Sequence, residues 1–174
     1  MERRTPNRDD VANVEPGAGG ANIRVILWND LFVVVDNGSG RVRDYAVLHE
    51  LIMQRTRHVT RGLGCLAIIP DKATPPPPEV RAALDRTLQS IQLRCICWCI
   101  EGQGFHSAMV RAVLNGLRFV RYQKFPSHIA STLEEALAWM LPHLAGGGAR
   151  LSELRQAADY VRAQRDMAKY VHTL

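Results

Sequence analysis

The chain has 174 residues, 47% of them hydrophobic and 22% charged, which is enough for one ordinary domain with a full core and too few for two. No apolar run approaches the roughly 18 residues of a membrane-spanning helix, and a cytoplasmic protein is expected. A net charge of +5 permits contact with an anionic partner, but the arginines are scattered over almost every segment. No basic stretch is interleaved with aromatics, which argues against a nucleic-acid platform.

Residues 1–21 mix both charges with Pro and Gly, lack the apolar centre of a secretion signal, and are expected to form a disordered leader. The globular domain is expected over 22–145. It opens with NIRVILW and LFVVV, two β-branched runs around Asn29 and Asp30 that predict a sharp antiparallel hairpin. From Arg43 the period changes: Tyr45, Leu48 and Ile52 share one helical stripe. GLGCLAIIP, from Gly62 to Pro70, is too short for a helix and apolar throughout, as expected of a strand covered on both faces.

Four prolines then stiffen the approach to a helix carrying Val80, Leu84, Leu88 and Ile91, with Pro78 tolerated in its first turn. RCICWCIE reads as a second doubly buried strand, and FHSAMVRAVLNGL as a third helix closed by Asn115 and Gly116. LRFVRYQKFP reads as a polar edge strand. Ser131 and Glu134 are spaced as a capping box for a helix with Leu133, Leu137, Met140 and Leu141 on its apolar face. A Gly run at 146–148 separates a last, Arg-rich helix over 149–174.

Strands alternating with helices imply parallel pairing through right-handed crossovers. The expected fold is therefore α/β: a mixed, mostly parallel sheet of about five strands with an N-terminal antiparallel hairpin, helices packed on it, and an extra C-terminal helix.

Cys95, Cys97 and Cys99 alternate, so on a strand they share one face. Same-face positions are about 6.6 Å apart, putting the outer two about 13 Å apart. Sulfurs on one tetrahedral zinc lie only about 3.8 Å from one another, so the three thiols do not form a single metal site. Core packing is the expected role, and no metal is assigned. Gly102 and Gly104 lack the third glycine of a dinucleotide fingerprint, because position 107 is Ser. They are expected to let the chain turn tightly from strand to helix.

The order of elements, together with EGQGFHSAMVRAVLNGL and STLEEALAWM, resembles the STAS domain of anti-anti-sigma factors, including divergent SpoIIAA-like members. The resemblance covers residues 22 to about 144. It implies a regulator without enzymatic activity that binds a partner protein through the loops and helix starts at one sheet end. Some members are switched by phosphorylation in an Asp-Ser-Ser/Thr-Gly motif that opens the second helix. Here that place reads IIPDKATPPPPEV: Asp71 and Thr74 stand in the neighbourhood, the Ser/Thr-Gly pair is absent, and Thr74 is the phosphorylation candidate. Carrier-type relatives imply an alternative, a small-molecule or lipid carrier with a pocket between sheet and helices.

The residues themselves point to the same sheet end. Phe105 follows the Gly turn directly, and aromatics and arginines dominate protein contacts, so Phe105, His106 and Arg111 are the expected partner-binding residues. The partner itself is not identified by the sequence, and a homodimer is compatible with it. No nucleophile elbow, metal-binding helix motif or paired catalytic carboxylates are present, so no catalytic residue and no cofactor are assigned. Acid–base chemistry would require His106 or His128 to converge with a carboxylate such as Asp71 or Glu101.

Overall fold

The computed structural model describes residues 11–14, 23–28, 31–36, 40–56, 62–91, 93–121 and 125–144, and helical residues 152, 155, 156, 158–160 and 163. Among the described residues up to 144, the elements follow the order β1 (Val11–Val14), β2 (Ile23–Trp28), β3 (Leu31–Asp36), α1 (Val42–Thr56), β4 (Leu63–Ile69), α2 (Pro78–Ser90), β5 (Leu93–Ile100), α3 (Phe105–Arg121), β6 (Ser127–Ala130) and α4 (Leu133–Leu144). The strands lie side by side in sequence order. β1, β2 and β3 pair antiparallel, and β3 to β6 pair parallel.

The mixed α/β sheet expected from the sequence is thus present, with six strands rather than about five. The additional strand lies in the segment expected to be a disordered leader: Val11 to Val14 pair with Ile26 to Ile23 along the outer edge of β2. Such pairing draws on backbone donors and acceptors that any sequence carries, so leader composition does not reveal it. The rest of the leader lies outside the described residues. In the hairpin, Trp28 stands opposite Leu31, which leaves two residues for the turn as expected.

Each parallel crossover steps the chain in the same direction across the sheet, so right-handed connections put α1, α2 and α3 on one face. The core divides accordingly. Phe32, Val34, Cys65 and Ile96 face Tyr45, Leu48, Ile52, Val80 and Leu88 of α1 and α2. Ile69 and Ile100 meet Val110 and Leu114 of α3. After β6 the chain crosses to the opposite face, where α4 lays Leu133, Ala136, Leu137, Met140 and Leu144 over Leu66, Ile68 and the three cysteines of β5. Gly64 makes room for this helix, since a Cβ there would lie 2.6 Å from a methyl carbon of Leu144.

Two boundaries differ from the sequence expectation. The Asn115-Gly116 pair does not close the third helix, which runs on to Arg121, and the edge strand is Ser127–Ala130 rather than LRFVRYQKFP. Gly116 has no neighbour near its missing Cβ and does not adopt a positive φ, so it is a helical residue in open space and not a left-handed cap. The capping box of α4 is shifted by one. The Glu135 amide donates to Thr132 Oγ1 at 3.1 Å, and the Glu135 carboxylate accepts from the Ser131 amide at 2.8 Å. Because the helix begins at Leu133, Thr132 is its cap and Glu135 its third residue.

Glu134 is thereby released to pair with Arg155 of the C-terminal helical segment. Ala158 of that segment is fully buried against the α4 layer, with Tyr160 packed beside it. The Gly run at 146–148 lies outside the described residues.

The box carries a pH signature. The Ser131 amide, opposed by burial and aided by His128 and the Thr132 backbone amide, holds the Glu135 carboxyl below the usual range. A depressed folded-state pKa gives stability that is present above the unfolded value of about 4.3 and lost as the pH falls through the folded value. In Glu135→Gln the amide oxygen can still accept from Ser131, but the ionisation is gone. Acid denaturation curves should therefore be shallower for Glu135→Gln than for wild type below about pH 4.3, with the two proteins differing most near neutrality.

Candidate functional site

The carboxyl ends of the parallel strands are where open α/β sheets place their ligands. Here that end is built from the turns after β4 and β5. The Glu101 amide donates to the Ile69 carbonyl at 2.8 Å, so the two strands stay paired to their last residues. The chain then turns at Gly102, whose φ of +88° suits glycine and few other residues. The turn brings Gly102 against Asp71, and a Cβ at position 102 would overlap the Asp71 carboxylate.

Three side chains fasten this turn. Ser107, 1% exposed, places its hydroxyl 3.2 Å from Asp71 Oδ1 and 3.0 Å from the Glu101 carbonyl oxygen, two acceptors for one proton. Arg111 reaches back from the second turn of α3 and donates through Nη2 to the carbonyls of Ile100 and Gly102, both at 3.0 Å. The structure therefore places Arg111 half-buried under the turn, where its charge neutralises strand-end carbonyls. Its expected position on the contact face belongs to its neighbours instead.

Phe105 stands on the outside of this fastened turn. It is 74% exposed, more than any other large apolar side chain among the described residues. His106 lies beside it, exposed, with ring centroids 6.2 Å apart in an edge-to-face arrangement. An aromatic left in water at this cost in apolar surface, on a turn fastened by Ser107 and Arg111, is a fixed projection. Thr74 lies in the neighbouring β4–α2 connection and is exposed, whereas Ser107 is sealed; of these two hydroxyls only Thr74 is open to a modifying enzyme. Helix α2 begins at Pro78 as expected, and its cap position, Pro77, supplies no side-chain acceptor.

The histidines do not converge on this end. His128 Nε2 lies 3.2 Å from Glu135 Oε1, and its ring stacks on Trp139 with centroids 5.2 Å apart. Trp139 in turn meets His143 at 4.5 Å. This row lies between β6 and α4, on the other face of the sheet. His49 contacts Ser90 Oγ at 3.3 Å between α1 and α2.

The four cysteines are buried and form no disulfide. Cys95, Cys97 and Cys99 lie under α4, while Cys65 faces the α1 and α2 layer. Burial, with the neighbouring thiols adding to it, raises the Cys65 thiol well above its ordinary range and pushes Cys97 up to about 12. Among the described residues, no three His, Cys, Asp or Glu side chains gather to hold a metal ion. No helix among them is long and apolar enough to cross a membrane.

Sequence reasoning missed one polar pair. Tyr45 is buried in α1 and donates its hydroxyl to Asp36 at the end of β3. Gly40 gives the ring its space, since a Cβ there would lie 2.7 Å from Tyr45 Cε2. Tyr45 is legible only as one more member of the helical stripe; the partner of its hydroxyl depends on where β3 ends.

Compared with family models, curated proteins and solved structures, the chain matches none.

Proposed function

We propose that this protein is a regulatory or scaffolding module without catalytic activity that binds a partner protein through the β5–α3 turn. The observation that carries the reading is Phe105: a large apolar side chain held out into solvent by a turn that Ser107 and Arg111 fasten from inside. Binding hot spots are rigid aromatics that fill a pocket on the partner, and a turn ordered beforehand lowers the entropy cost of association. Phe105 and His106 form the contact, and Arg111, Ser107 and Asp71 position it. The STAS resemblance supports the same end of the sheet. Thr74 stands beside the contact, where a phosphate would add roughly two negative charges and alter the docking of a partner.

The test is capture from lysate of the native cells with tagged wild-type chain and tagged Phe105→Ala. Phe105 is mostly exposed, so its removal should change stability by less than about 0.5 kcal/mol. A protein enriched by wild type and lost with Phe105→Ala supports the reading. Identical captured sets would oppose it.

A second reading, a small-molecule carrier, has one observation in its favour. An apolar chamber of about 50 Å³ lies between the sheet and α1 and α2. A cavity of about 150 Å³ is needed to hold benzene, so this chamber favours a molecule of few atoms over a lipid chain.

A further inference from the structure

The chamber between sheet and helices is not isolated. A second one, of about 30 Å³, adjoins it, and the two share Asp36, Tyr45, Ile69, Leu84 and Trp98 as walls. The inner chamber is lined by aliphatic side chains, Leu48, Ile52 and Leu88 among them. The outer one extends between α2 and α3 to Thr74 and Pro76 at the carboxyl end of the sheet. Its rim is part of the four-proline segment, whose restricted backbone keeps the opening from collapsing.

Where the chambers meet, the wall carries a defined polar group. The Tyr45 hydroxyl donates a hydrogen bond to Asp36, and its oxygen can still accept one. Burial, with Asp36 and Asp44 adding to it, raises the phenol far above its ordinary range and keeps it protonated. A guest here therefore meets mostly apolar walls, aliphatic and aromatic, with the Tyr45–Asp36 pair as the polar group at the junction and Thr87 on the inner wall. Each water-sized group needs about 10–15 Å³ of such space, so the inner chamber admits about three to five heavy atoms.

We propose that the paired chambers bind a short-chain aliphatic alcohol, its hydroxyl donating to the Tyr45 oxygen and its carbons lying against Leu48, Ile52 and Leu88. The proposal rests on the small-molecule reading of the chamber and is independent of partner binding at Phe105. A carboxylate guest is excluded, because the apolar walls would strip its hydration and Asp36 would repel it.

The test is a titration of the full-length chain, methyl-labelled for NMR, with 1-propanol and separately with xenon. Expected are saturable shifts at the Leu48, Ile52, Leu84 and Leu88 methyls, with propanol half-saturating in the millimolar range. Tyr45→Phe keeps the chamber and removes the acceptor, so it should weaken propanol at least fivefold and leave xenon unchanged. Ala67→Leu, which fills the inner wall from β4, should abolish both. Xenon binding without saturable propanol binding overturns the alcohol assignment and leaves the chamber as a site. Absence of both overturns the assignment and the small-molecule reading together. Equal propanol affinity in wild type and in Ala67→Leu also overturns it, and that variant decides the matter if Tyr45→Phe does not fold.

Discussion

Gly102→Ala is expected to lose about 2–4 kcal/mol of folding stability, whereas Gly104→Ala, two residues away, stays within about 0.5 kcal/mol of wild type. At Gly102 two costs combine. A φ of +88° places an L side chain in the left-handed region, at about 1–2 kcal/mol. The new Cβ also overlaps the Asp71 carboxylate, which cannot swing away without leaving the Ser107 hydroxyl. Gly104 has no positive φ and no atom near its missing Cβ. For a chain of this size about 1 kcal/mol shifts the thermal midpoint by roughly 2–4 °C, so thermal melts separate the two variants readily. Adding Asp71→Ala to Gly102→Ala should recover part of the loss, because the overlap with the carboxylate is relieved while the 2.8 Å approach to the Cβ at position 71 and the backbone strain remain. Equal melting of the two glycine variants would mean that the turn is not built as described.

Thiol labelling should show the second large effect. In native protein at about pH 8, a disulfide reagent is expected to modify all four cysteines at least about 10³-fold more slowly than in denaturing guanidinium. The thiolate is the attacking species, and a thiol pushed up to about 12, as Cys97 is, presents very little of it. Access adds to this, since Cys95, Cys97 and Cys99 are completely buried beneath α4. Labelling of the three β5 cysteines then reports opening of the α4 layer, and core truncation at Met140→Ala, at about 2–5 kcal/mol, should accelerate it. Rapid modification of any one cysteine in the native protein would contradict the packing role. So would zinc protection, because alternation along one strand holds the outer sulfurs too far apart for one ion.

These two variants also mark how far the sequence could be read. The β4 and β5 strands are legible because continuous apolar runs bounded by Gly or Pro admit few other structures, and the hairpin because two β-branched runs flank Asn29 and Asp30. Gly102 and Gly104 look alike in sequence; the positive φ and the contact with Asp71, from a different strand end, make one of them indispensable. Arg111 illustrates the same limit: an arginine in the second turn of a helix can point to water or fold back on strand-end carbonyls, and the choice depends on where β5 stops. The length of α3 was misjudged because Gly near a helix end is a common stop signal, while Gly116 costs the helix only about 1 kcal/mol. The β1 strand was invisible for another reason, since its pairing is a backbone property of the β2 edge.

At the candidate site, Phe105 and His106 were legible as neighbours of a turn, and the structure adds that the turn is fastened from inside and that Phe105 is exposed. The Tyr45–Asp36 pair was not legible, because its partners come from elements that only the folded sheet brings together.

The most direct test of partner binding through the β5–α3 turn is calorimetric titration of the captured protein with wild type, Phe105→Ala and Val47→Ala. Val47 is a second exposed apolar residue, on α1 and away from the turn, and it controls for nonspecific loss of apolar surface. The expected result is a dissociation constant at least about 30-fold weaker for Phe105→Ala, corresponding to a hot spot of about 2 kcal/mol, with Val47→Ala within about twofold of wild type. Equal affinities for Phe105→Ala and wild type would contradict it.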